Sequence, residues 1–140
     1  MQQGEDALEL EPRLDASAIA RRHVRSRLVA WGLGDLTDPV MLLTSEVVTN
    51  ALLHSGTRLA LTVARDGAGV RVGVADGSPV PPVQRRHSTT ASTGRGVQLL
   101  EAVADEWGWT ATSSGKLVWF RVTVNAGWPA DLQLEGRAGL

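Results

Sequence analysis

A chain of 140 residues with 43% apolar and 21% charged side chains suits one soluble domain with a core of its own. A net charge of −1 gives the whole chain no pull toward nucleic acid, and the lack of cysteine excludes disulfide scaffolds, thiolate zinc sites and cysteine nucleophiles. Met1–Glu11 is polar and acidic with no apolar leader core, and no stretch approaches the roughly 18 apolar residues of a membrane span, so the expectation is a cytoplasmic protein that does not enter membranes.

In chain order, Leu8 to Leu10 suggests a short edge strand stopped by Pro12, leaving an edge with which a second copy could pair as a homodimer. Asp15 or Ser17 can cap a first helix that runs to about Leu33, where Gly32 and Gly34 end it. Ala20, Val24, Leu28 and Trp31 form its apolar stripe, and Arg21, Arg22, Arg25 and Arg27 cluster around it. That cluster reads either as a solvated face or as a docking surface for an acidic partner. A second helix is expected from Thr37 or Asp38 to His54, with Pro39 in its first turn and Ser55-Gly56 after it. Leu59, Leu61 and Val63, then Val70, Val72 and Val74, alternate as two strands joined at Asp66-Gly67-Ala68-Gly69.

From Gly77 to Thr93 the periodicity stops, and prolines, a basic patch and a Ser/Thr cluster fill a loop long enough to suggest a lid over Val80–Thr93. A third helix is expected from about Val97 to Glu106, and a last hairpin from Trp109–Thr112 and Leu117–Val124 around Ser113-Ser114-Gly115. Hairpin-length connections between strands, with helices between the hairpins, predict an α+β fold: a two-layer sandwich of a mixed, mainly antiparallel sheet with three helices on one face. The chain is expected to be a single domain over residues 1–140, with its core at about 8–124 and a tail at 125–140.

Three clusters bear on chemistry. Glu46, Asn50 and His54 fall at i, i+4 and i+8 on one stripe of an otherwise apolar helix. They form either its solvent face or a polar lining, and in a lining the carboxylate and amide oxygens suit Mg²⁺ held jointly with phosphates. Asp76-Gly77-Ser78-Pro79 is either an ordinary turn or an acceptor for an exocyclic amine, with Gly77 allowing close backbone approach. Gly94-Arg95-Gly96 opens a helix, where backbone N–H groups and a fixed cation favour an anion. It lacks the strand before it and the Gly-Lys-Ser/Thr that Rossmann and P-loop readings require.

Together these runs resemble the GHKL ATPase superfamily. Leu43-Thr44-Ser45-Glu46-Val47-Val48-Thr49-Asn50-Ala51-Leu52-Leu53-His54-Ser55 is similar to its N box, Val74-Ala75-Asp76-Gly77-Ser78-Pro79-Val80-Pro81-Pro82 to its first glycine box, and Thr93-Gly94-Arg95-Gly96-Val97-Gln98-Leu99-Leu100 to its second. Trp107-Gly108-Trp109 and Gly115-Lys116-Leu117-Val118-Trp119 resemble the small regulators related to anti-sigma-factor serine kinases. One departure is Ser78, which stands where the superfamily usually has a second glycine.

The resemblance implies a Bergerat ATP-binding fold, ATP (or ADP) and Mg²⁺ as ligands, Glu46 as general base and Asn50 as metal ligand. It implies Asp76 and Gly77 at the adenine, Gly94, Arg95 and Gly96 at the phosphates, and His54 either beside them or orienting the N box. No phosphoacceptor helix or dimerising helical hairpin is expected before the domain and no transducer domain after it, which argues against a complete sensor histidine kinase and against a gyrase or mismatch-repair ATPase. The activity implied is transfer of the γ-phosphate to serine or threonine on a small antagonist protein. The alternative is a non-catalytic, nucleotide-dependent module that sequesters a sigma factor or another regulator.

Overall fold

The computed structural model describes residues 5–81 and 98–124, with the side chain of Glu5 excepted. The elements are β1 (Glu5–Leu10), α1 (Ala16–Ala30), a 3₁₀ turn (Gly34–Leu36), α2 (Thr37–Ser55), β2 (Leu59–Asp66) and β3 (Gly69–Asp76). A helical segment, α3, follows over described residues 98–103, then β4 (Glu106–Ala111) and β5 (Lys116–Thr123). The strands form one five-stranded sheet in the order β1-β2-β3-β5-β4. All four described pairings are antiparallel, so the expected mixed element is absent among the described strands.

Strand alternation places the core. Leu59, Leu61 and Val63 of β2, Val70, Val72 and Val74 of β3, and Val118, Phe120 and Val122 of β5 are buried in one cluster. Ala16, Ala20, Val24 and Leu28 of α1 come round at helical spacing to meet it, as do Val40, Leu43, Val47 and Val48 of α2. Leu100 and Val103 of α3 join the same cluster, giving a helical layer over one face of an α+β sheet. On the other face Trp119 lies over Gly108, and the Arg71 guanidinium stacks 3.9 Å from the Trp119 ring.

The helix ends differ from expectation for identifiable reasons. Asp15 is the N-cap of α1, but its carboxylate caps nothing, and Ser17 turns inward to Thr49 Oγ1 at 2.9 Å, tying α1 to α2. The N-cap of α2 is Leu36 rather than Thr37 or Asp38, because the helix continues straight out of the 3₁₀ turn and needs no side-chain cap. Helical structure in α3 stops at Val103 rather than Glu106, since the Asp105 N–H donates to Arg121 O and Glu106 is already paired in the sheet.

The arginine cluster on α1 divides in two. Arg21 donates to Ser45 Oγ at 3.0 Å, and Arg27 lies 3.5 Å from Asp6 Oδ2 and over the Trp31 ring. Arg22 and Arg25 are exposed.

Candidate nucleotide site

The three members of the α2 stripe lie at different depths. Glu46 and Asn50 are half-buried, while His54, the last residue but one of the helix, is exposed. The amide oxygen of Asn50 is buried and accepts no hydrogen bond. Most buried amide oxygens in folded proteins have a partner, and no described residue supplies one here. Glu46 and His54 each interact with neighbours.

The end of α2 is fastened to the end of β3 by hydroxyls. Ser55 Oγ donates to Ala51 O at 2.8 Å and lies 3.0 Å from Thr57 Oγ1, which accepts the Gly77 N–H at 2.9 Å. This short path brings the helix carrying Glu46 and Asn50 up to the Asp76-Gly77 turn. A Cβ on Gly77 would stand 3.0 Å from Thr57 Cγ2, so the close approach the residue permits is to this threonine.

Asp76, at the end of β3, is 6% exposed, and Lys116, at the start of β5, is 4% exposed. The two are opposite one another in the β3–β5 register. Lys116 Nζ donates to Asp76 Oδ1 at 3.1 Å and to Ser78 O at 3.4 Å. It lies 3.0 Å from Oδ2 as well, so the ammonium faces both carboxylate oxygens. The Ser78 N–H also donates to Oδ1 at 2.8 Å, and Ser78 Oγ accepts the Val80 N–H at 3.2 Å. No non-glycine residue has positive φ among the described residues, so Ser78 needs none of glycine's freedom, and its hydroxyl fixes the turn instead. Gly115 completes the clamp: any Cβ there would run into the carbonyl oxygen of Asp76.

No family model matches this chain, and a search of curated proteins finds no relative. Among solved structures, the chain is similar to the RsbU and RsbW domains of Rv1364c from Mycobacterium tuberculosis, with a TM-score of 0.56 at 20% identity over 85% of this chain. The fold is that of the GHKL ATPases. This chain spans 32% of that larger one. The histidine kinase domain of the Erythrobacter litoralis EL346 blue-light activated histidine kinase is also similar, with a TM-score of 0.47 at 22% identity, over 66% of this chain and 46% of that one.

In GHKL terms, the helix and turn that resemble the N box and first glycine box are adjoining elements here, joined through Thr57. Gly94, Arg95 and Gly96, and most of the segment expected as a lid, lie outside the described residues. Two contributors were not singled out from the sequence as site residues. Lys116 carries a signal, because alternation with Val118, Phe120 and Val122 turns the chain's lone lysine inward. Thr57 carries none, since its role depends on a strand end 20 residues away.

Among the described residues, no three His, Cys, Asp or Glu side chains gather to hold a metal ion. The unpartnered Asn50 oxygen is instead a single hard donor, which fits Mg²⁺ carried largely by the phosphates of a nucleotide. No helix among the described residues is long and apolar enough to cross a membrane.

Proposed function

We propose that this chain binds Mg-ATP and acts as an anti-sigma-factor-like serine/threonine kinase, transferring the γ-phosphate to a small antagonist protein. The observation that carries the reading is the buried Asn50 Oδ1, which has no hydrogen-bond donor among the described residues, together with the buried Asp76 carboxylate on the adjoining element. One is of the type that takes a hard cation, and the other suits an amine on a base. The GHKL fold and its anti-sigma-kinase neighbour support the same reading.

In this reading Asp76 accepts the adenine amine, and Gly77 keeps the turn close to the end of α2. Asn50 holds Mg²⁺, which when bound neutralises charge on the triphosphate. Glu46, one turn earlier on the same stripe, accepts the proton of the attacking hydroxyl. His54, Gly94, Arg95 and Gly96 serve the phosphate side, where Arg95 adds a fixed cation.

Titration with millimolar Mg-ATP should raise Tm by mass action, and Asn50→Ala should remove the Mg²⁺-dependent part of that rise. Glu46→Gln keeps size and hydrogen bonding but cannot take the proton. ³²P transfer to a partner co-purified from native cytoplasm should fall by roughly 10²–10⁴-fold while partner binding by calorimetry survives. An unchanged melting curve counts against nucleotide binding.

A second reading, sequestration of a sigma factor or similar regulator without turnover, draws on the outward face of α1. There Arg22 and Arg25 are exposed beside Val29, which is 67% exposed. Wild-type protein that binds its partner yet transfers no phosphate at saturating Mg-ATP establishes that reading.

A further inference from the structure

We propose that Thr57 is a positioning residue for the nucleotide site: acting through Ser55, it fixes the Asp76-Gly77 turn against the helix that carries Asn50, so that base and metal are engaged together. The inference rests on the nucleotide reading above and deepens it.

The end of α2 is shaped for this contact. Gly56, just past the helix, is left-handed with a φ of 63°, and that turn brings the Thr57 N–H back to Ser55 Oγ at 3.2 Å. The Ser55 hydroxyl proton goes to Ala51 O at 2.8 Å, so where the two hydroxyls meet at 3.0 Å Thr57 is the donor. Its other acceptor, Arg58 O, is farther away at 3.3 Å. Thr57 Oγ1 in turn accepts the Gly77 N–H at 2.9 Å, across 20 positions of the chain. The bonds run in one direction: from the turn after β3, through two hydroxyls, to the backbone of the residue that follows Asn50. Hydrogen bonds in series polarise and strengthen one another.

The methyl group of Thr57 sets how near the turn comes, since a Cβ on Gly77 would stand 3.0 Å from Thr57 Cγ2, and the hydroxyl sets how the Asp76-Gly77 peptide is oriented. As a device for stability this is modest: Gly77 is exposed, and water satisfies an exposed N–H nearly as well. Its effect is on geometry. A ligand that spans two subsites gains from both at once only where their separation matches its own length, and rigid placement of the subsites spares the ordering cost. In the nucleotide reading the Asp76-Gly77 turn takes the base and Asn50 takes the metal carried by the phosphates. The hydroxyl chain joins those two ends of the ligand. Valine in place of Thr57 keeps the shape without the hydroxyl, and serine keeps the hydroxyl without the methyl.

The test is calorimetric titration of the full chain with ATP, once in Mg²⁺ and once in EDTA. The ratio of the two dissociation constants is the gain from the metal. In Thr57→Val that gain should fall about fivefold, the weight of one hydrogen bond, with metal-free ATP affinity kept within about twofold of wild type. Thr57→Ser should keep the wild-type gain. Ser55→Ala cuts the chain one link further on and should lower the gain likewise; it decides the matter if the valine variant does not fold. A threonine with a merely structural role moves Tm and leaves the gain where it was. A folded Thr57→Val or Ser55→Ala with the wild-type gain therefore overturns the proposal, as does an equal loss of both affinities, or a loss in Thr57→Ser as large as in the valine variant. So does a wild type that binds ATP with no gain from Mg²⁺, which leaves nucleotide binding itself standing. A wild type that binds ATP under neither condition overturns the nucleotide reading, and this inference with it.

Discussion

At the scale of single residues, the junction of Asp76, Gly77, Gly115 and Lys116 tolerates little change. Gly115→Ala would push a methyl group into the Asp76 carbonyl, and overpacking of this kind costs about 1–3 kcal/mol, so Tm should fall. Asp76→Ala leaves the Lys116 ammonium buried and unpaired, at a cost of about 3–5 kcal/mol. The paired change Asp76→Leu with Lys116→Met removes both charges, and should recover most of that loss in thermal unfolding while abolishing any adenine selectivity. Asp76 is legible in the sequence because an Asp-Gly-Ser-Pro run interrupts a strand. Lys116 is legible as a strand residue only, since nothing local says which carboxylate stands across the sheet from it.

Among elements, the join between α2 and β3 is the informative one. Thr57→Val keeps the shape of the side chain but removes the acceptor for the Gly77 N–H and the contact to Ser55. The expected loss is about 1 kcal/mol, discounted because the bond is open to solvent, with faster amide hydrogen exchange at Gly77. A Thr57→Ser variant should restore protection. The elements themselves are largely readable from periodicity: Leu59, Leu61 and Val63 could face a core only as a strand, and Val40, Leu43, Val47 and Val48 only as a helix. Their ends are less readable. The cap of α2 depends on the 3₁₀ turn before it, and the end of α3 depends on Arg121, a residue on a strand that the local sequence of α3 cannot anticipate.

For the molecule as a whole, stability centres on the sheet. Phe120 is fully buried on β5, which lies between β3 and β4, and Phe120→Ala should cost about 3–5 kcal/mol in chemical unfolding without altering the site's chemistry. At one edge β1 pairs with β2 alone, and Glu9 and Glu11 beside it are engaged by Arg58 at 3.6 and 3.0 Å. We propose this edge as the place where two copies would pair; light scattering at tens of micromolar should then show a dimer, and Glu9→Pro, on the same edge, should reduce it to monomer.

The register that sets Asp76 opposite Lys116 has a kinetic consequence. The β2–β3 hairpin closes across a short turn, but the contact between these two residues spans 40 positions in the chain. Loop closure orders this contact after the β2–β3 hairpin, and the expectation is that the ion pair is little formed when the chain crosses its barrier. A ligand gripping that junction therefore leaves the rate of folding almost unchanged and slows escape from the native state. Its protection is read as lifetime, in the unfolding limb of a chevron.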